Sequence, residues 1–531
     1  MRARPSNVPV SWRLLVLTGV GLLYLLPHQH MFTIDSLYYL WGAEFAHWRS
    51  LLHPHHVALE LLWRGWWRTW EWFGWPGRAV IPFQALNLVV SLGALGVALR
   101  LFETLARDRL QALLWWSVLA VSFLPWFYAT QAEGVPLYAF FGSASLLWAA
   151  ALPGRGRTNP PAARTAVALA ATIVGGVAVH QSLVLWAPLL AWMLAREARP
   201  GRRLRLGALT LGLAAGGVLG CYLVAGAWAA ADLSPGALGH WFTSYAEEFA
   251  GRCGSLRLLV SADVPRGLAS ALLTGTPLKP YLFGERPRDL ALAVRLAPYA
   301  LAGLIFLLAI VRTPGAWRAR EAPQRRALVN VALLVLVASL FAGWWEPSNR
   351  KFWAPVLPGL LALASVGWGA IAERRPRVAG AGMALLIATI AAFNLAGGIL
   401  PRHHEHDDRQ PLLVFLARRT GPADAVVLRE DRVWQCAVYF QNARLVHGIP
   451  GERSDRDDPE HSVFLAAVAD ARRALEKGAT LYVAASEWPR LRTALAAELG
   501  ALPEPVEALR YGDLELHGDE QILLALRLPV G

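Results

Sequence analysis

The stretch IPFQALNLVVSLGALGVAL, residues 81–99, carries no charged residue along its whole length. At about 1.5 Å of rise per residue, a helix of this length crosses a hydrocarbon core about 30 Å thick. A similar run, VALLVLVASLFAGWW, occupies 331–345, and only 17% of the 531 residues are charged. A soluble protein of this size needs no such series of bilayer-length runs, so we expect a polytopic α-helical membrane protein.

About eleven transmembrane helices are expected. The first apolar run has no convincing small-residue cleavage site, so we interpret it as a retained helix. The expected spans lie near 11–27, 79–99, 111–127, 135–152, 165–179, 181–195, 206–230, 293–311, 328–343, 352–371 and 378–399. They define a transmembrane domain over 1–400, with a first loop at 28–78 and a long loop at 231–292 that is a candidate lid.

Arginine separates the loops into two alternating sets. Arginine-rich connections belong on the cytoplasmic side of a membrane, which also accounts for the +13 net charge without nucleic acid. One set is densely basic: RARPSN, RLFETLARDR, GRGRTNPPAAR, REARPGRRLR, RTPGAWRAREAPQRR and ERRPR. The other set comprises YATQAEG, HQ, WWEPSNRK and the two long loops. We therefore expect the second set and the C-terminus to face outward, in a bacterial cytoplasmic membrane.

Beyond residue 400 the pattern changes to alternating strands and helices. ADAVVLRE, CAVYFQNARLVHGI, ATLYVAAS and QILLALRLP are typical of strands, whereas 459–478 and 488–500 are typical of helices. This alternation predicts a small α/β extracytoplasmic domain over 401–531. It lacks a Gly-x-Gly-x-x-Gly pattern, so no nucleotide site is expected.

The first outer loop opens with a short helix that begins near Asp35. At 100° per residue Tyr39 shares the face of Asp35, while Glu44 points almost opposite. Farther along, residues 57–72 place Glu60, Arg64, Arg68 and Glu71 on one stripe and tryptophans on another. That pattern predicts a helix lying in the outer interface, with Glu60 and Arg64 as an i,i+4 pair.

Other outer ends repeat this concentration of polar residues. Ionisable groups at membrane depth are costly and usually mark a site or a pathway. They are Glu133 before the fourth span, His180 and Gln181 at a hairpin tip, and Glu346, Arg350 and Lys351 before the tenth. Each has a plainer interpretation as a solvated helix end, a hairpin cap or a lipid-headgroup contact. Together, a carboxylate and an arginine–lysine pair on one side suit an anionic, lipid-borne substrate.

Four patches resemble the GT-C superfamily of integral-membrane glycosyltransferases, and most closely its protein O-mannosyltransferase-like branch. They are TIDSLYYLWGAEF with LLHPHHVALELL, YATQAEGVPLYAFFGSASLLW, GGVAVHQSLVLWAPLL and EPSNRKFWAPVLPGLLAL. The resemblance covers most of residues 10–400. It implies transfer of a sugar, mannose or another hexose, from a polyprenyl-phosphate carrier to an extracytoplasmic acceptor hydroxyl, with inversion.

The resemblance also implies roles for particular residues. Asp35 matches the first-loop acid and is expected to be the catalytic base or to position the acceptor. Substrate and carrier-phosphate binding is expected from Arg350, Lys351, Glu133, His180, Gln181, Tyr39, His53 and Glu346. The chain departs from the family pattern at Tyr138, which is displaced from the usual position after the glutamate. It also has Ser36 where a second acid usually follows the first.

Several alternatives remain open. The acceptor is a protein, or else a lipid or cell-wall polysaccharide, and the rival function is transport of a lipid or sugar. No internal repeat supports a transporter. A divalent metal at His53, His55 and His56, or at the RHHEHDD run 402–408, is a further alternative, although adjacent histidines seldom converge on one ion. Membrane lipids are the remaining expected partner.

Overall fold

The computed structural model divides the chain into two compact units. The first comprises Met1–Gln29 and Gly42–His403, and the second comprises His30–Trp41 and His404–Gly531. The residues that the structure describes are 11–27, 33–45, 48–158, 162–230, 234–248, 254–275, 290–400, 419–421, 423–428, 445–448, 459–485, 488–499, 504–510 and 522–527. The RHHEHDD run, residues 436–444 of one predicted strand and most of the 276–292 part of the candidate lid therefore lie outside the description.

Helices dominate the chain up to residue 400, as the apolar runs predict. They are α1 (Ser11–Leu25), α2 (Ile34–Phe45), α3 (Leu59–Trp72), α4 (Val80–Leu105), α5 (Arg109–Val121), α6 (Phe123–Ala129), α7 (Val135–Thr158), α8 (Ala163–Val179), α9 (Ala187–Glu197), α10 (Arg203–Ala230), α11 (Pro235–Glu248), α12 (Asp263–Leu272), α13 (Leu290–Arg318), α14 (Ala322–Trp345), α15 (Leu357–Arg374) and α16 (Pro376–Asn394). Short 3₁₀ helices at Gln181–Trp186 and Arg350–Trp353 precede α9 and α15.

The predicted class, a multi-pass helical membrane protein, is confirmed. Within the described residues, six helices are long and apolar enough to cross a membrane, and the total is seven if the bent pair α5 and α6 forms one span. Two shorter apolar helices lie at Trp12–Leu25 and Ala163–Val179. The expected total of eleven spans is not confirmed, because helices such as α8 and α9 are too short to cross the hydrocarbon core by themselves.

The break between α5 and α6 is stabilised by a buried asparagine. The two helices meet at an angle of 57°. Asn394, at the end of α16, donates from Nδ2 to the carbonyl oxygens of Val121 and Leu272, each at 2.9 Å. Its Oδ1 accepts the Thr274 N–H at 2.9 Å. One side chain thus supplies partners for backbone groups at the end of α5 and at the end of α12, where the helical hydrogen bonds stop.

Helix α3 differs from the expected interfacial helix at its start. Glu60 is 3% exposed and Arg64 is 6% exposed, whereas Arg68 and Glu71 are exposed and form an ion pair at 2.7 Å. Arg64 Nη1 donates to the Gly42 carbonyl oxygen at 3.3 Å rather than pairing with Glu60. The predicted pairing of Glu60 with Arg64 is therefore wrong, because periodicity identifies a polar face but not what packs on it.

The second unit contains a five-stranded sheet of order β2-β1-β3-β5-β4. Its strands are β1 (Ala425–Leu428), β2 (Leu445–Gly448), β3 (Leu481–Ala484), β4 (Glu504–Arg510) and β5 (Ile522–Arg527), and its helices are α17 (Pro459–Glu476) and α18 (Trp488–Leu499). β1 pairs in parallel with β2 and β3, and β5 pairs antiparallel with β3 and β4. Strand β4 was not predicted, since its EPVEALR sequence has a proline and charges that are typical of an edge strand.

Candidate functional site

The first loop and the hairpin after α8 meet through their backbones. The Ala58 N–H donates to the Ala178 carbonyl oxygen at 2.9 Å, and the Gln181 N–H donates to the His55 carbonyl oxygen at 3.2 Å. These bonds bring the His-Pro-His-His segment against the tip of the hairpin. Two patches that are distant in the sequence therefore form one surface.

Four imidazoles gather where these segments meet, and we call His53, His55, His56 and His180 the histidine cluster. The His55 and His180 rings are 4.4 Å apart, and His53 and His56 are 5.0 Å apart, centroid to centroid. Among the described residues, no group of three histidine, cysteine, aspartate or glutamate side chains has an arrangement suited to a metal ion. The rings pack against one another instead of converging on one point.

Burial keeps the histidine cluster neutral. It lowers the pKa of His53 to about 4 and those of His56 and His180 to about 3. The pKa of His55 is also lowered well below its usual value, chiefly by burial and then by His180. At neutral pH these side chains are therefore uncharged and act as hydrogen-bonding groups.

A chain of hydroxyl groups extends from the cluster into the transmembrane domain. The Ser182 Oγ atom lies 2.8 Å from His180 Nδ1, and the Tyr138 hydroxyl lies 2.7 Å from Ser182 Oγ. The Tyr138 ring stacks on the His180 imidazole with centroids 4.2 Å apart. Tyr138 thus reaches the histidine of the hairpin despite its displacement from the family position.

Glu133 and Lys351 form a buried ion pair. Lys351 Nζ lies 2.5 Å from Glu133 Oε2, and the Glu133 side chain is only 2% exposed. The loop that carries Glu133 is held from α4, where the buried Asn87 donates to the carbonyl oxygens of Gln131 and Glu133. Two residues predicted for the site are therefore in direct contact, although Lys351 is already charge-paired.

Arg350 lies in the same segment but in different surroundings. Its guanidinium lies over the Phe123 ring, 4.8 Å from the centroid. Among the described residues it has no carboxylate partner. The segment is shaped by Asn349, which accepts the Lys351 N–H at 3.1 Å and donates to Glu346 Oε2 at 3.0 Å. Arg350 is therefore a cation whose charge no described acid neutralises.

Helix α12 of the long loop braces this segment. A Cβ atom added to Gly267 would lie 1.7 Å from the Pro347 carbonyl oxygen. That oxygen also accepts the Trp353 indole N–H at 3.0 Å. Only glycine allows so close an approach, so α12 helps to define the position of Arg350 and Lys351.

A cavity of about 1090 Å³ lies within the first unit between α8, α10 and α14. Its walls are mostly aliphatic and aromatic, with Tyr222 and Trp345 among them, while His55, Gln181 and Ser182 form the polar part of its lining. The Phe352 ring, which follows Lys351, contacts His180 at a centroid distance of 5.6 Å. An apolar chain with one polar end matches this lining.

Asp35 and Tyr39 belong to the segment His30–Trp41, which is part of the second unit. Asp35 lies in the first turn of α2 and is exposed. The helix start is capped by Thr33, whose Oγ1 accepts the Ser36 N–H at 3.1 Å. The proposed catalytic role of Asp35 stays a prediction from the sequence.

Within the first unit the structure brings together His53, His180, Gln181, Glu133 and Lys351, with Arg350 and Glu346 in the segment beside Lys351. The positioning residues Asn87 and Asn394 were not predicted from the sequence. The available signal was an amide side chain inside an otherwise apolar run, which needs buried partners.

Comparison with known proteins identifies the architecture. No protein-family model matches the sequence, and no curated protein matches it. ArnT from Cupriavidus metallidurans bound to undecaprenyl phosphate has a TM-score of 0.59 at 13% identity, covering 98% of both chains. Apo ArnT from the same organism gives 0.59 at 12% identity with the same coverage.

A third solved structure, the Archaeoglobus fulgidus oligosaccharyltransferase in complex with Zn and sulfate, has a TM-score of 0.50 at 14% identity. It covers 91% of this chain and 70% of that chain. The expected place in the O-mannosyltransferase-like branch is not confirmed. The chain has the fold of the GT-C integral-membrane glycosyltransferases.

Proposed function

We propose that this protein transfers a sugar from a polyprenyl-phosphate carrier to an acceptor hydroxyl at the outer face of a bacterial cytoplasmic membrane. The observation that carries the proposal is the apolar cavity, whose polar lining adjoins the segment with Arg350 and Lys351. A carrier has the same two parts, a long hydrocarbon chain and an anionic phosphate. The similarity to ArnT, solved with undecaprenyl phosphate, supports this assignment.

Arg350 is the group best suited to the carrier phosphate. A guanidinium without a described carboxylate partner gains a charge-assisted, two-point contact when it meets a phosphate. Lys351 adds a second positive charge but already neutralises Glu133. The two residues thus differ in role, with Arg350 binding the phosphate and Lys351 maintaining the buried carboxylate beside it.

The reaction is a displacement at the anomeric carbon. The acceptor oxygen attacks that carbon, the bond from the carbon to the phosphate oxygen breaks, and the carrier phosphate leaves with the electron pair. One attack from the opposite face inverts the configuration. A base takes the acceptor proton, and Asp35 is the residue that the sequence predicts for this step. The cation at Arg350 stabilises the charge of the departing phosphate.

The family resemblance indicates a hexose such as mannose as the sugar, and a protein or a glycan as the acceptor. A lipid acceptor keeps the same chemistry. Transport of the lipid-linked sugar is the rival function, and it predicts movement of the carrier across a bilayer without any new glycosidic bond.

The first test measures binding of polyprenyl phosphate to the purified protein in nanodiscs. Arg350→Gln is expected to weaken binding by about tenfold or more, the scale of one charge-assisted contact. Ala215→Trp, which places an indole in the cavity wall, tests the hydrocarbon part. Arg257→Gln is the control, because Arg257 is exposed on the 3₁₀ turn before α12.

The second test compares glycoproteins, glycolipids and polysaccharides by mass spectrometry in wild-type cells, a deletion strain, Arg350→Gln and Asp35→Asn at equal membrane levels. Loss of one hexose modification in the deletion and in Arg350→Gln supports the transferase and identifies the acceptor. If Asp35→Asn retains the modification that the deletion and Arg350→Gln lose, Asp35 is not the catalytic base. If no glycan changes, and vesicles with the protein translocate the carrier, transport replaces transfer.

A further inference from the structure

Glu60 is a buried carboxyl group that the proposed reaction does not use. It is 3% exposed, and neither of its oxygens has a hydrogen-bond partner among the described residues. Its Oε1 lies 3.6 Å from His56 Nδ1, slightly longer than a hydrogen bond. An ionised carboxylate in this position has lost its hydrating water and gained no hydrogen bonds in exchange, which costs free energy.

The rest of the histidine cluster has a common hydrogen-bonding pattern. His53 Nδ1 accepts the His55 N–H at 3.2 Å, and His180 Nδ1 accepts the Ser182 N–H at 3.4 Å. His55 Nδ1 lies 3.3 Å from the Gln181 amide nitrogen, which is a donor. A neutral imidazole that accepts at Nδ1 carries its proton on Nε2. These three histidines therefore present Nε2–H groups as donors.

We propose that Glu60 is a protonated carboxylic acid that donates a hydrogen bond to His56 Nδ1 and holds the fourth histidine in the same tautomer. A shift of about half an ångström brings the two atoms within hydrogen-bonding distance. Glu60 is thus a positioning residue, which acts on the ligand through the histidine cluster.

The consequence concerns the polar lining of the cavity. Four neutral histidines that donate through Nε2 form a surface suited to phosphate or sugar oxygens, without the cost of burying four cations. His55 belongs directly to the cavity lining. This role rests on the proposed function, since it assigns the cluster to the head of the lipid-linked substrate.

Burial determines which partner holds the proton. It raises the pKa of Glu60 to about 8 and lowers that of His56 to about 3. A neutral acid beside a neutral imidazole is therefore favoured over a buried ion pair at neutral pH. The donor is lost when Glu60 ionises, as the pH rises through about 8.

Other charges near Glu60 are already engaged or lie at the surface. On its own helix, Arg64 donates to a backbone carbonyl. On α2, Glu44 pairs with an arginine at 2.8 Å, and Lys351 pairs with the glutamate before α7. Arg49 of the neighbouring 3₁₀ turn is exposed. The alkaline transition is therefore assigned to Glu60.

Infrared spectroscopy tests the protonation of Glu60 without any activity assay. The spectrum of the wild type minus that of Glu60→Gln, both in nanodiscs, is expected to contain the carbonyl stretch of a protonated carboxylic acid at neutral pH. The band is expected to disappear as the pH rises through about 8. Absence of the band at neutral pH overturns the proposal, whatever the protein transfers.

Transferase assays test the positioning role. Glu60→Gln keeps a donor at every pH, so it is expected to retain most of the activity and to lose the alkaline decline of the wild type. Glu60→Leu has no donor and is expected to lower kcat/KM about fivefold, the scale of one net hydrogen bond. Glu71→Gln, at the exposed end of the same helix, is the control and is expected to match the wild type.

Two results overturn the positioning role, namely an unchanged alkaline decline in Glu60→Gln or full activity in Glu60→Leu. Matching circular-dichroism spectra of the variants and the wild type exclude a general loss of structure. If the wild type has no transferase activity at any pH, the proposed function fails, and the infrared band still decides whether Glu60 is protonated.

Discussion

Replacement of Lys351 by methionine tests whether the buried ion pair supports the fold. The Glu133 side chain is 2% exposed and Lys351 is 23% exposed, so the replacement leaves a carboxylate in the interior without its cation. Breaking a buried pair by removing one partner typically costs about 3–5 kcal/mol. Methionine preserves much of the apolar stem, so the loss reports the charge rather than the packing.

The assay is thermal and denaturant unfolding of the purified protein in detergent, arranged as a double-mutant cycle. Glu133→Gln in the Lys351→Met background removes the stranded charge and is expected to recover most of the loss. Lys477→Met, an exposed lysine of the second unit, is the matched control and is expected to change stability by less than about 0.5 kcal/mol. The reasoning is refuted if Lys351→Met costs less than about 1 kcal/mol, or if the double variant is no more stable than the single one.

Three further predictions concern positions away from this pair. Asn394→Ala removes three backbone hydrogen bonds, one at the α5–α6 break and two at the end of α12, and is expected to cost about 2–3 kcal/mol in denaturant unfolding; an unchanged midpoint contradicts this role. Gly267→Ala forces the Pro347 carbonyl to move and is expected to weaken carrier binding about tenfold or more, since it displaces a charge-assisted phosphate contact; equal binding isotherms count against the brace. Burial raises the pKa of Glu60. The protonated side chain therefore contributes its full stabilisation to the fold when the pH is below the usual pKa of a carboxyl group, and this stabilisation is lost as the pH rises through about 8. Unfolding temperatures of wild type and Glu60→Gln are expected to diverge over that window, and parallel curves count against a buried acid.

The α/β part of the chain shows how much secondary structure the local sequence pattern predicts. Four of the five described strands and both helices lie within segments that the alternation predicts, because short β-branched and aliphatic runs between turn residues leave few other structures. The edge strand β4 was missed, since its pairing with β5 rather than its own composition makes it a strand.

The candidate site, in contrast, depends on tertiary contacts that the sequence does not show. Glu133, His180 and Lys351 are visible in the sequence as polar residues at the ends of apolar runs, and this is enough to propose a common side of the membrane. The sequence does not show that Lys351 pairs with Glu133 rather than with a ligand. Nor does it distinguish Glu60, which is buried, from Glu71, which lies on the same stripe and is exposed.

The sequence by itself therefore determined the membrane class, the long apolar helices and the small α/β layer. These follow from hydrophobic length and periodicity, which are local properties of the chain. Only the tertiary structure decided which polar groups meet and which are desolvated. Contacts such as His55 with His180 depend on packing between distant segments, and burial then shifts the pKa values that determine what those groups can do.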